Sequence, residues 1–353
     1  MFNLSKISSL KDLFNKEIII DLGSSNTVVG VKNKGVVLVE PTCIAMNSKT
    51  KEVIAVGHEA KEMIGKTPPN INAFYPVQHG VICDFEGCEL FVKNLFSKMS
   101  TSNFLFDKFA FSKVIISTPS NISEVEQRAI YKIMKNLGVR KVYIVPQLLL
   151  SALGHSIDIT KSSGTLIVNI GGGCCEIGVV SISSIIVNNS IRTGSNKLDE
   201  QLVDYVKTRF GVVIGEKKAE EAKIAIAQVF ETSEKPKKSE HFEIRGRSIK
   251  TALPEKIKLN NLDLSLAYKE PLHLIIDSIK RAIEDTPSEL ISDITQNKIH
   301  LSGGGALLNG FEDLLFESTK INTVLGEHAE LTVAKGALKL LDNRELLNKI
   351  SLR

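Results

Sequence analysis

Residues 17–32 read EIIIDLGSSNTVVGVK and residues 165–182 read TLIVNIGGGCCEIGVVSI; with Asp21 set over Asn169, their apolar and glycine positions match without a gap. A pattern met twice in one chain predicts two halves that open in the same way. In each copy a β-branched apolar run ends in a polar residue and a glycine-containing turn, after which alternating strand character resumes. Each copy therefore predicts strand, tight turn, strand. A Walker loop or a dinucleotide fingerprint needs a helix directly after its glycines, so the strand that follows argues against both. A turn of small residues can still hold phosphate, because backbone N–H groups approach an anion closely where no side chain intervenes. One such turn alone reads as readily as a plain hairpin; two, facing each other, would clamp one polyphosphate. A third glycine cluster, KIHLSGGGALLNGFEDLL at 298–315, runs from strand character into helical periodicity and predicts amides near a helix start.

A chain of 353 residues is too long for one ordinary core and predicts two domains of roughly 150 to 200 residues each. With 43% hydrophobic and 24% charged residues, and no apolar run near the roughly 18 residues of a spanning helix, it reads as soluble and globular. The 44 basic and 40 acidic residues leave a net charge of +4, too weak a field to predict a nucleic-acid partner. The opening MFNLSKISSLKDLFNKE lacks the continuous apolar core and cleavage site of a secretory signal, which predicts a cytoplasmic protein. Cys43, Cys83, Cys88, Cys174 and Cys175 show no CxxC spacing, so reduced, mostly buried thiols are expected rather than a disulfide framework or a zinc site.

Between the glycine turns the reading alternates. Short strands are expected across 35–56, a short helix at 59–65, a helix at 86–99, a strand at 113–118 and a helix at 123–137. Ser123 with Glu126 three residues on forms a capping-box signature for that last helix. In the second half helical spacing marks 196–210, 216–229 and 270–285, and the charged stretch ETSEKPKKSE at 231–240 reads as an exposed loop. The class is mixed α/β.

The succession DLGSSNT, NIGGGCCE, GEKKAEEAK and LSGGGALLNG resembles the MreB family of bacterial actins, within the actin and sugar-kinase superfamily. HGVICDFE (79–86), SEVEQRA (123–129), RTGSNKLDE (192–200) and EIRGRSIKTALPEKI (243–257) stand where that family has closely similar segments, so the resemblance covers nearly the whole chain. It implies an actin-like fold of two domains, each with an RNase-H-like mixed five-stranded sheet and a smaller subdomain, with a nucleotide cleft between them. The implied boundaries are 1–154 for domain I with its small subdomain at about 33–76, and 155–324 for domain II with its small subdomain at about 191–250. Residues 325–353 would return to domain I as C-terminal helices.

The resemblance also implies ATP or ADP with Mg²⁺, self-association into head-to-tail protofilaments, and paralogous actin-like subunits as further partners. Residue by residue, Ser24, Ser25, Asn26 and Thr27 would hold the β and γ phosphates with Gly171, Gly172 and Gly173. Asp21 would reach Mg²⁺ through water, and Glu220 and Lys223 would bracket the ribose and base, joined by Gly304, Gly305, Ala306 and Leu307. Without the resemblance, Glu220 and Lys223 read as a solvated helix face.

Three parts of the site, at four positions, depart from the family pattern. Its second phosphate turn reads DIGGGTTE, whereas here the leading carboxylate is Asn169 and the paired threonines are Cys174 and Cys175. The family's water-orienting glutamate falls in a segment that reads VPQLLLSALG here, placing Gln147 at that position. A neutral amide can orient a water but cannot accept its proton. Losing one preorganised group commonly costs about 10²- to 10³-fold in rate, so the three changes together predict weak or absent hydrolysis with binding retained. The alternative is a fully active ATPase filament in which neighbouring groups compensate. A chaperone ATPase of the DnaK type lacks length for a substrate domain, and a small-molecule kinase lacks its sugar-binding insert and a catalytic Asp between the first two turns. Contact with the inner face of the cell membrane is expected from Phe104, Leu105 and Phe106 in the stretch 102–113, which resembles the family's inserting loop, and less from the imperfectly amphipathic opening segment.

Overall fold

Both copies of the repeated stretch form the hairpins their pattern predicts, in a computed structural model that describes residues 16–99, 111–229 and 241–352. In the first, β1 (Lys16–Leu22) pairs antiparallel with β2 (Asn26–Val31), and β2 with β3 (Gly35–Pro41). The other edge of β1 runs parallel to β4 (Phe111–Thr118), and β4 runs parallel to β5 (Lys141–Pro146). In the second, β6 (Thr165–Ile170) pairs antiparallel with β7 (Cys175–Ser181), which neighbours β8 (Ser184–Asn188). On its other side β6 is parallel to β9 (Ile299–Ser302), and β9 to β10 (Thr323–Leu325). The strand orders β5-β4-β1-β2-β3 and β8-β7-β6-β9-β10 place the opening hairpin identically in two mixed five-stranded sheets. The repetition seen in the sequence is thus a repetition of topology.

Ile18, Ile19 and Ile20 are buried in succession, as are Leu166, Ile167 and Val168. Consecutive burial requires cover on both faces of the sheet, which is why these strands are continuous β-branched runs and not alternating ones. On one face of the first sheet, Ile18 and Ile20 share a cluster with Phe91, Leu95, Ile130 and Ile133, from helices Phe85–Met99 and Glu124–Asn136. On the other lie the helices Gln147–Gly154 and Thr332–Leu340, and these two approach closely enough that only glycine fits at the crossing. A Cβ on Gly336 would stand 1.8 Å from the Leu150 carbonyl oxygen, and one on Gly154 2.1 Å from that of Thr332.

The chain divides into two compact units. The first takes the described residues of Met1–Ser162, Ser181–Ile185 and Leu331–Arg353; the second takes those of Ser163–Val180 and Ile186–Glu330. Each adds a smaller three-stranded sheet. In the first unit it is built from Val53–Val56, Ile44–Asn47 and Ile71–Phe74, and in the second from Val212–Val213, His241–Ser248 and Pro254–Asn260.

The capping box expected at Ser123 is formed: the Glu126 backbone N–H donates to Ser123 Oγ at 3.3 Å, and Glu126 Oε2 accepts from the Ser123 backbone N–H at 2.8 Å. Three expectations need correction. The helix read at 270–285 begins nine residues earlier, spanning Asn261–Glu284, with Asn260 and Asp263 forming a second capping box. Pro271 lies inside the helix, where Leu264, Ala267 and Tyr268 on the turns before it are held in the core of the second unit. The helix read at 216–229 stops at Ile226. After the third glycine cluster the helix starts only at Phe311, and Gly304–Leu307 form a 3₁₀ turn instead.

Phe104, Leu105 and Phe106 lie outside the described residues, as do the opening segment and the charged stretch 231–240. The far end of the 102–113 stretch is core: Phe111 begins β4, is buried, and meets Phe96 edge to face with ring centroids 4.5 Å apart. Among the described residues, no helix is long and apolar enough to cross a membrane.

Candidate functional site

Asp21 is the last polar residue of β1 before the turn, which is closed by the pair Leu22 and Thr27. Ser117, its register partner on the parallel neighbour β4, donates its hydroxyl to Asp21 Oδ1, and Gln147 Nε2 donates to the same oxygen at 3.3 Å. Asp21 Oδ2 takes no hydrogen bond from any described residue. Burial pushes the Asp21 carboxyl above the usual range, and the bonds from Ser117 and Gln147 pull it partly back.

Within the turn the side chains divide. Ser24 is buried, and its Oγ accepts the Gly80 backbone N–H at 2.9 Å, tying the turn to the tight hairpin of Val77–Gln78 and Val81–Ile82. The Thr27 hydroxyl is fully buried against that of Thr42 at 2.8 Å, inside the sheet edge. Ser25 is half-buried and Asn26 exposed at the open end of the hairpin.

In the second unit the corresponding place is taken by Asn169, buried at the end of β6. Its register partner on the parallel neighbour β9 is again a serine: Ser302 Oγ donates to Asn169 Oδ1 at 3.2 Å. The turn that follows is closed by the Gly171 N–H donating to the Cys174 carbonyl at 2.9 Å. Its outer side rests on the start of helix Ser195–Phe210, where the Ser195 and Asn196 N–H groups donate to the Gly171 and Gly172 carbonyls, each at 2.9 Å. These are amides that a helix start leaves without intrahelical partners. Contact is so close that a Cβ on Gly194 would lie 2.5 Å from both of those carbonyl oxygens. Cys174 is half-buried at the turn, while Cys175 is wholly buried, and burial pushes its thiol well above the ordinary range. Glu176, also buried, stands directly across the ladder from Asn169, so its side chain leaves the sheet on the same face.

Glu220 and Lys223 are three residues apart on helix Glu216–Ile226 and so share a face. Lys223 is held: Nζ donates to the Ser195 carbonyl at 2.9 Å and to Asp199 Oδ2 at 2.6 Å, an ion pair with both side chains largely buried. Its ammonium thereby links this helix to the helix start that backs the glycine turn. Of the third cluster, Gly305 packs onto Ile170, beside the turn, and Ala306 is buried next to it in the chain, whereas Gly304 and Leu307 are exposed. The structure brings Asn169, Gly171–Cys174, Gly305 and Ala306 together within the second unit, and Asp21, Ser24, Gln147 and Ser117 within the first.

Ser117, Ser302, Gly194 and Asp199 were passed over in reading the sequence. The two serines had a signal, since each ends the apolar run of a strand, in KVIIST and KIHLS, at matching places in the repeat. Gly194 and Asp199 had none, because their importance lies in contacts between distant segments.

The arrangement suits a polyphosphate and a metal that arrives with it. No cluster of three or more His, Cys, Asp or Glu among the described residues could hold an ion; Asp21 offers one solvent-side oxygen. Mg²⁺ fits such a site, because it keeps several waters and takes most of its charge from substrate phosphates. The packed glycine turn leaves backbone groups as the only ones small enough to meet the anion closely.

Residues 15–349 match the protein family described as MreB/Mbl protein. The chain is 37% identical over 337 residues to the cell shape-determining protein Mbl of Bacillus subtilis, covering 96% of this chain and 99% of that one. It is 34% identical over 340 residues to the cell shape-determining protein MreB of Escherichia coli K12, covering 95% and 96%. The crystal structure of MreB5 of Spiroplasma citri bound to ADP superposes with a TM-score of 0.86 at 30% identity, over 95% of this chain and 98% of that one; with AMPPNP bound the TM-score is 0.87. The actin-like fold is thereby established, and with matches of this extent the chain belongs to the MreB/Mbl family of bacterial actin homologues.

Proposed function

We propose that this chain binds ATP or ADP with Mg²⁺ and assembles into cytoskeletal filaments that serve cell shape or motility, with weak or absent hydrolysis. The nucleotide reading is supported by the two matching turns and by MreB5 of Spiroplasma citri, whose solved structures hold ADP and AMPPNP. The assembly reading follows from membership of a family whose matched relatives are cell shape-determining proteins. In this reading the amides of the turn after Asp21 and of Gly172 and Gly173 hold the phosphates, while the Gly171 N–H, spent on the Cys174 carbonyl, keeps the second turn closed. Ser24 has its hydroxyl proton left to donate once its oxygen has accepted Gly80, and Thr27 contributes backbone only. Glu220 meets the ribose, and Lys223 fixes the helix that carries it. Mg²⁺ would neutralise phosphate charge beside Asp21.

The observation that carries the weak hydrolysis is the pair of amides at Gln147 and Asn169. Gln147 spends an N–H on Asp21, and Asn169 accepts from Ser302, so neither position supplies a base for water. Subunit contacts in a filament need no such base, so assembly and turnover separate. Phosphate release should be measured beside sedimentation and electron microscopy with ATP, ADP and AMPPNP: filaments in all active nucleotide states with release near background are expected. Protein that stays monomeric under all of them would overturn the filament reading. Changing Gln147→Glu, Asn169→Asp and Cys174→Thr together should raise release more than any single change, because groups that act as a unit are not additive.

One observation favours a second reading, an active ATPase. Glu176 keeps a buried carboxylate opposite Asn169. If wild-type release is brisk and Glu176→Gln abolishes it, the active reading replaces the first. Attachment to the membrane by Phe104, Leu105 and Phe106 belongs to the same proposal. A Phe104→Ser, Phe106→Ser variant that folds yet sediments with liposomes as the wild type does would remove that loop.

A further inference from the structure

The same contact occurs at the end of both opening strands. Asp21 in β1 and Asn169 in β6 each stand in register with a serine on the parallel neighbour, and each takes that serine's hydroxyl on its Oδ1. The serines are buried, Ser117 at 3% and Ser302 at 0% exposure, so their hydroxyls have no access to competing water. The first unit adds a second donor, since Gln147 Nε2 reaches the same Asp21 oxygen from the first turn of its helix. Two donors on one carboxylate oxygen fix the plane of the group and leave the other oxygen pointing away from both. A side chain held in this way loses little freedom when it meets its target, and outer-shell partners of this kind orient the groups that face a metal.

We propose that Ser117, together with Gln147, is a positioning residue that aims Asp21 Oδ2 at the hydrated Mg²⁺ of the bound nucleotide. The inference rests on the nucleotide reading above and assigns Gln147 a task other than orienting water. The amide at 147 donates to Asp21 Oδ1 at 3.3 Å, a bond that an ionised carboxylate has no proton to make. Gln147 therefore belongs with Asp21 and Ser117 as one hydrogen-bonded group. The second unit keeps the serine contact on a neutral amide, where there is no charge to aim.

The test uses the full chain and AMPPNP, so that no turnover enters the readout. Nucleotide binding is followed by calorimetry across a Mg²⁺ series and again in EDTA. Ser117→Ala and Gln147→Leu should each raise the Mg²⁺ concentration for half-maximal binding by about tenfold, with affinity in EDTA unchanged. Ser117→Thr, which keeps the hydroxyl, should stay near the wild type. The Ala and Leu changes combined should cost less than the product of their separate effects, since both act through one carboxylate. Unchanged Mg²⁺ dependence in the Ala and Leu variants overturns the inference alone, as does an equal loss of affinity in EDTA, which would mark a structural role. A wild-type chain that binds no AMPPNP at any Mg²⁺ concentration overturns the nucleotide reading and this inference with it.

Discussion

The five cysteines sort by burial into groups with opposite chemistry. Burial raises the Cys43 thiol to about 11 and that of Cys88 to about 12, and also holds Cys175 well above the ordinary range, while Cys83 is exposed and Cys174 half-buried. A thiolate is the reactive form, so at pH 8 iodoacetamide should label Cys83 first, Cys174 next, and the other three only after unfolding. Mg-ATP should slow labelling of Cys174 if the Gly171–Cys174 turn holds phosphate; peptide mapping that finds Cys174 equally reactive with and without nucleotide would count against the site. The same shifts give a pH dependence. In the unfolded chain these thiols ionise near pH 8.5, whereas in the folded chain they keep their protons to higher pH. The folded state therefore binds more protons between the two values, and stability falls as pH rises above about 9. Denaturant midpoints measured from pH 8 to 10.5 should decline, and less steeply in a Cys88→Ala variant.

Elements were legible where a local rule decided them and obscure where packing did. The two hairpins, the capping box at Ser123 and the strand ending KVIIST follow from patterns a few residues long. The first nine residues of helix Asn261–Glu284 escaped the reading because nothing local to Pro271 announces that Tyr268 and Leu264 are held by distant residues. Helix Gln147–Gly154 passed unread for a similar reason: LLLSALG is apolar on all sides and shows no period, since it is enclosed between β strands and the helix Thr332–Leu340. Of the candidate site, the turns could be read from glycine placement, but the engagement of Thr27 with Thr42 and of Lys223 with Asp199 could not, as both join segments far apart in the chain. The reciprocal glycine crossing makes a sharp element-level prediction. Gly336→Ala inserts a methyl where the Leu150 carbonyl already stands, and the two helices must separate, at a cost of about 2 to 3 kcal/mol. A melting curve identical to wild type would mean the helices can part freely.

At the scale of the whole molecule, the first unit is sewn from both ends of the chain. Helix Thr332–Leu340 supplies Val333, Ala334 and Ala337 to its buried interior, and Leu347 and Ile350 follow from helix Arg344–Ile350. A chain ending at residue 330 should therefore keep the second unit and lose the first. Limited proteolysis should leave a resistant fragment from roughly residue 163 onward, and survival of an intact fragment before that point would contradict this. Synthesis adds a direction to the same fact. A ribosome working at about 5 to 20 residues per second releases the first half of the sheet pair many seconds before its last helix exists. The half that is translated first is thus the half that matures last, and in the interval the apolar face of LLLSALG is open to whatever chaperone attends the nascent chain.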